Sequence, residues 1–94
     1  MILGIESSFD DSCAGIVSSA GKVLANAKRT IQKDKFDMRD APLRAMHHHR
    51  ENLPIAVEQA LEAAGVGSIA EMEAIAVTIG PGQKGSLNEG IKLA

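Results

Sequence analysis

Large aromatic rings are almost missing from this sequence, which has two Phe and neither Trp nor Tyr. Any core must therefore be aliphatic, built from Ile, Leu, Val, Ala and Met. A single cysteine, Cys13, excludes an internal disulfide and fits a reducing compartment. Its expected role is that of a small buried hydrophobe in a strand rather than a reactive thiol. No apolar run approaches the roughly 20 residues of a membrane-spanning helix. Met1 leads straight into an apolar stretch, so neither a signal segment nor a basic, Ser-rich presequence is expected. Neither sign of charge dominates: ten Lys and Arg against twelve Asp and Glu leave a net charge of −2, and bulk charge does not mark a nucleic-acid binder. What remains is the make-up of one small globular domain, with 94 residues of which 45% are hydrophobic and 23% charged.

Along the chain, residues 1–5 form a continuous apolar run that suits a strand buried on both faces. A polar turn follows over 6–11. Residues 12–18 read as a second strand, Ala20-Gly21-Lys22 as a tight turn, and 22–30 as a third strand. Short turns between them predict an antiparallel meander. Residues 33–39 are charged, lack a period, and read as a loop. A helix over 40–64 is expected, with Asp40 as its cap and Pro42 in its first turn. Leu53, Val57, Ala60, Leu61 and Ala64 give it an apolar stripe, and Gly65 stops it. Pro54 should kink this helix or split it in two. Residues 74–79 read as another buried strand, broken by Gly80-Pro81-Gly82. Residues 85–94 then form a helix with Leu87, Ile91 and Ala94 on one face. The order β-β-β-α-β-α is that of an α/β, ribonuclease-H-like domain. With that order, right-handed crossovers place the first and fourth strands side by side and parallel, with the turns at Asp10 and Gly82 at the same end of the sheet.

Three segments could carry chemistry. The turn Glu6-Ser7-Ser8-Phe9-Asp10-Asp11-Ser12 sets two adjacent carboxylates among hydroxyls, a group able to hold a cation, orient a water or act as a base. Taken alone, Asp-Asp in a hairpin is usually turn chemistry. The string Gly80-Pro81-Gly82-Gln83-Lys84-Gly85 matches G-x-G-x-x-G between a strand and a helix. There, backbone N–H groups and the helix dipole suit a phosphate. It follows the fourth strand instead of the first, lacks the acidic residue further on, and lacks a Walker Gly-Lys-Ser/Thr triplet. On spacing alone, a plain strand-to-helix turn competes equally with a phosphate loop. His47-His48-His49 invites a metal assignment. Consecutive helical residues do not face one another, so a solvated or partner-facing polar surface is the expectation.

Together these segments resemble the tRNA N6-adenosine threonylcarbamoyltransferase family, formerly described as O-sialoglycoprotein endopeptidase-like. The likeness runs through Leu3-Gly4-Ile5-Glu6-Ser7-Ser8-Phe9-Asp10-Asp11-Ser12, Val23-Leu24-Ala25-Asn26, Pro42 to His49, Glu51-Asn52-Leu53-Pro54, and Ile75 to Gly82 with Gly85-Ser86-Leu87. Asp10-Asp11 resembles the bacterial and mitochondrial branches. Asn26-Ala27-Lys28 and Met46 to His49 resemble fungal-type mitochondrial members. The chain departs from the family pattern at Phe9, where a Cys is usual, and at Met38-Arg39, where paired glycines are usual.

The resemblance implies the N-terminal lobe of an actin-like ATPase (ASKHA) fold, incomplete in this chain. A whole member transfers a threonylcarbamoyl group from its adenylate to N6 of the adenosine 3′ of the anticodon in tRNA. It uses ATP and a divalent metal, zinc or iron, which this chain is not expected to coordinate by itself. By the same resemblance Asp10 and Asp11 belong to the catalytic cleft, and Gly80, Gly82 and Gly85 to the cofactor-binding wall. Expected partners are tRNA and a protein partner or second copy, with no membrane. The expected location is mitochondrial, the alternative cytoplasmic. The 94 residues alone are expected to be inactive. Reversing Arg50 and Glu51 is expected to weaken partner pairing and leave the fold intact. Rival readings are a non-catalytic paralogue acting as a scaffold, which has no need of Asp10-Asp11, and an unrelated nucleotide-binding α/β domain, disfavoured by the opening meander.

Overall fold

A computed structural model describes residues 1–31 and 41–94. The expected loop over 33–39, the departure at Met38-Arg39 and the Asp40 cap lie outside the described residues. Three strands come first: β1 (Ile2–Glu6), β2 (Asp11–Val17) and β3 (Val23–Thr30). Helix α1 (Ala41–Ala64) follows, then a short 3-10 turn at Ile69–Glu71, strand β4 (Ala74–Val77) and helix α2 (Lys84–Leu93). The sheet order is β3-β2-β1-β4. β1 and β2 pair antiparallel, as do β2 and β3, so the meander is present. β1 and β4 pair in parallel, with Leu3 opposite Ile75 and Ile5 opposite Val77. This is the α/β order expected of the ribonuclease-H-like lobe.

Alternation along the strands decides which side chains meet the helices. Leu3, Ile5, Ala14 and Ile16 point to one face and are almost fully buried there, with Leu53, Ala56, Val57 and Ala60 of α1 against them. The α1 stripe is thus present, and it is wider than the sequence stripe by Ala45, His49 and Ala56. Glu6, Cys13, Gly15, Asn26 and Ala76 line an open groove on the other face of the sheet. Among the described residues no helix packs there.

That one-sided covering corrects two expectations. β1 is buried on one face only, and Ile2 is 39% exposed. β4 is not a buried strand: Ala74, Ile75 and Ala76 are exposed, because β4 lies at the sheet edge. Cys13 lies in a strand as expected, yet half-buried on the open face.

α1 runs unbroken for 24 residues, about 36 Å at 1.5 Å per residue, and is not split at Pro54. Pro54 is exposed, so the Arg50 carbonyl that loses its amide partner can turn to water. Gly65 ends the helix with φ of +72°, a left-handed conformation that glycine adopts without strain. In α2 the buried residues are Ser86, Leu87, Glu89 and Gly90, whereas Ile91 is 44% exposed. The helix therefore leans on its Gly90 side. A Cβ there would come within 2.7 Å of Ser7 Oγ and 3.5 Å of Ile5 Cγ2. The two helices are tied by Arg50, whose Nη2 lies 2.9 Å from Oε1 of the buried Glu89. This guanidinium holds the Glu89 carboxyl below the usual carboxylate range. Arg50 thus has a partner within the fold, so its reversal is expected to cost stability as well as to alter the outward surface.

Candidate functional site

Parallel pairing of β1 with β4 brings the turn after β1 beside the turn after β4. Asp10 and Gly82 therefore lie at one end of the sheet, as the strand order predicts. The two turns are joined by backbone: Gln83 N–H donates to the Ser8 carbonyl at 2.8 Å, and Thr78 N–H to the Ile5 carbonyl at 3.0 Å. Gly82 is required by closeness. A Cβ at that position would lie 2.7 Å from Ser8 Cβ and 2.8 Å from Ser8 O. Gly85 faces Met46, and Gly80 faces open space. Gly82 and Gly85 thus have protein contacts that account for them.

The Asp10-Asp11 turn is held from three further directions. Within the turn, Ser8 N–H donates to Glu6 Oε1 at 2.6 Å. From α2, the Ser86 carbonyl accepts the Ser7 hydroxyl at 2.8 Å, with both residues fully buried. Ser86 Oγ itself is buried with no hydrogen-bond partner among the described residues. At the β3 side, Ile31 N–H donates to the Asp10 carbonyl at 3.0 Å. From α1, the ring of His49 spans the turn: Nδ1 lies 2.7 Å from Ser12 Oγ, and Nε2 meets the Phe9 carbonyl.

His49 is fully buried, so the expectation of a solvated histidine surface fails for it. Burial pushes its pKa down, against the Phe9 carbonyl, Glu6 and Asp10, which push it up. His48 is also engaged: Nε2 donates to the Arg29 carbonyl at 2.9 Å, Nδ1 accepts from Asn52 Nδ2 at 3.2 Å, and Asn52 Oδ1 accepts from Arg29 Nε at 2.6 Å. Only His47 of the three is exposed. The signal for His49 is present in the sequence, because it stands four residues after Ala45 and four before Leu53, squarely on the buried stripe.

Chemically, the turn gathers carboxylates around one strand end. Burial raises the Cys13 pKa, with Asp11 and Glu6 adding to the rise and Lys28 opposing it, which disfavours the thiolate. Among the described residues no group of three or more His, Cys, Asp or Glu is placed to hold a metal ion. Both ring nitrogens of His48 and His49 are already engaged by protein. The described residues therefore do not fit a metal centre.

The family model described as tRNA N6-adenosine threonylcarbamoyltransferase matches residues 18–94. A protein of that name from Geobacillus kaustophilus is 36% identical over 94 residues, covering 99% of this chain and 27% of the relative. The mitochondrial protein of Rattus norvegicus with that name is 39% identical over 95 residues, covering all of this chain and 23% of the relative. One from Caenorhabditis elegans, a probable mitochondrial form, is 38% identical over 96 residues and is 22% covered. The chain thus spans about a quarter of the length of the curated relatives it matches. With the family model matching most of its residues, the chain belongs to the tRNA N6-adenosine threonylcarbamoyltransferase family.

Proposed function

We propose that this chain supplies one wall of the cleft in which a threonylcarbamoyl group passes from its adenylate to N6 of the adenosine 3′ of the anticodon in tRNA. Asp10 and Asp11 are the catalytic candidates, and Gly80, Gly82 and Gly85 shape the wall beside them. The observation that carries the reading is the support of the Asp10-Asp11 turn from α1, α2 and the β3 side, more than a hairpin needs to reverse direction. As N6 bonds to the carbamoyl carbon, the bond from that carbon to the phosphate oxygen of the adenylate breaks and AMP leaves with its electron pair; the nitrogen must lose a proton, and a fixed carboxylate within reach can take it.

Family membership supports a fuller assembly. ATP, the threonylcarbamoyl-adenylate and a divalent metal, zinc or iron, belong to the whole protein. So do tRNA and a protein partner or second copy. The setting is mitochondrial, the cytoplasm being the alternative, and no helix among the described residues is long and apolar enough to cross a membrane.

The test is Asp10→Ala and Asp11→Ala in a protein of the relatives' full length that carries these residues, with threonylcarbamoyladenosine in tRNA measured by nucleoside mass spectrometry. Each variant is expected to lose on the order of a hundred-fold or more in rate. Stability should move by no more than about 0.5 kcal/mol, as for other turn substitutions. Wild-type modification by either variant rejects that residue's role.

A further inference from the structure

The buried histidine under the turn has no part in the chemistry proposed above, yet its contacts fall on both sides of the two aspartates. Nε2 meets the carbonyl of Phe9, just before Asp10, and Nδ1 meets the hydroxyl of Ser12, just after Asp11. We propose that His49 is a positioning residue that fixes the Asp10-Asp11 turn from beneath, as the neutral Nε2–H tautomer, bridging the Phe9 carbonyl to the Ser12 hydroxyl. The inference rests on the reading of that turn as part of the cleft.

The tautomer follows from the partners. A carbonyl oxygen can only accept, so Nε2 must carry the hydrogen. Neutral imidazole then leaves Nδ1 as an acceptor, and Ser12 Oγ–H is the donor that satisfies it. A second proton on Nδ1 would turn Ser12 Oγ into an acceptor and leave its own hydrogen without this partner. It would also place a charge in a fully buried ring. Burial opposes that charge, while Glu6 on β1 and Asp10 in the turn favour it and His48 on the same helix opposes it. His48 supplies a second brace of the same form. Its Nε2 donates to the Arg29 carbonyl, and its Nδ1 accepts from Asn52. The rings of His48 and His49 meet edge to face, with centroids 5.6 Å apart. Rigid α1 thereby reaches two strand ends at once, Ser12 of β2 and Arg29 of β3, which pair with each other. The turn bearing the carboxylates is set at a fixed height on the helix, as a positioned catalytic group requires.

Two measurements test this. The first needs no substitution: nitrogen-15 NMR of a histidine-labelled full-length protein carrying these residues. Resonances for His49 showing hydrogen on Nε2 and a bare, hydrogen-bonded Nδ1, unchanged as pH falls through 6.5, support the bridge. Hydrogen on Nδ1, or titration at the ordinary value, overturns it. The second uses His49→Leu and His49→Gln in a full-length protein carrying these residues. His49→Leu fills space without hydrogen bonds and is expected to lower kcat on the order of a hundred-fold, with KM for tRNA changed by no more than about two-fold. His49→Gln restores a donor near Nε2 and is expected to recover about ten-fold of the loss. Equal activity of the two variants, or wild-type kcat in His49→Leu, overturns the positioning role. Asp10→Ala and Asp11→Ala run alongside. If both keep wild-type activity, the cleft reading fails, while the NMR result still decides whether the bridge exists.

Discussion

Gly82→Ala puts the junction of the two turns under direct strain. The added Cβ would sit 2.7 Å from Ser8 Cβ, 2.8 Å from Ser8 O and 3.0 Å from Ser8 Cα. Two of these three atoms belong to the backbone, so no rotamer change can relieve the clash. Forcing a methyl into a packed site costs about 1–3 kcal/mol. Moving the turns apart instead strains the Gln83 N–H bond to the Ser8 carbonyl, worth about 0.5–1.5 kcal/mol. The chain takes one route or the other, so the loss is about 1–3 kcal/mol, a drop on the order of 5–25 °C in Tm for a domain of this size. Urea unfolding followed by circular dichroism measures it as a fall in midpoint at unchanged slope. Gly67→Ala is the control, because its Cβ meets nothing within 4 Å and its φ is not positive. It should be neutral or more stable by about 0.4–1 kcal/mol. If Gly82→Ala lies within about 0.5 kcal/mol of wild type, the two turns are not locked together and the argument for a built site weakens with them.

Arg50→Glu should cost about 1–3 kcal/mol by setting a second carboxylate beside buried Glu89, the lower end reflecting the half-exposed guanidinium. Adding Glu89→Arg should recover part of this in a double-mutant cycle, and purely additive effects would refute the pair. Both His49 and Glu89 have pKa values lowered by folding, so the unfolded chain binds more protons and stability falls with pH. The loss should begin as pH drops through 6.5, deepen below 4.5, and lose its first stage in His49→Gln; a flat profile between pH 7 and 5 in the parent would contradict the buried neutral ring. β4 has no strand on its outer side among the described residues and exposes Ile75 and Ile79 nearby, the sort of edge that recruits another chain. The purified 94 residues should therefore show concentration-dependent mass in light scattering and no transfer to tRNA when the adenylate is supplied. A concentration-independent monomer, or turnover above background, would refute these two expectations in turn.

The meander was legible because each strand is short and its turns carry their own chemistry, as at Gly21 with φ of +84°. The α1 stripe was legible for a similar reason, since aliphatic residues recur at helical spacing. Burial of β1 and β4 was not, because an apolar run says nothing about which elements lie over each face. Ile91 and Gly90 show a different limit. A hydrophobic count favours Ile91, but packing chose Gly90, where the absence of a side chain lets α2 approach Ser7 and Ile5. For His49 the stripe position was legible, four residues from Ala45 and from Leu53, but its role was not, because Phe9 and Ser12 lie 40 and 37 residues away. The partner of Arg50 was hidden likewise, Glu89 lying 39 residues on.

The contact between Ser7 and Ser86 spans 79 residues. Local pieces such as the meander and α1 can form early, because their ends meet over short loops. The Ser7 hydroxyl finds its acceptor only after α1 has crossed the sheet, β4 has paired with β1 and α2 has docked. During synthesis, then, the segment bearing the two aspartates leaves the ribosome well before α2, the element that completes its support. Substitutions in α2, far along the chain, should slow the maturation of a turn made long before them.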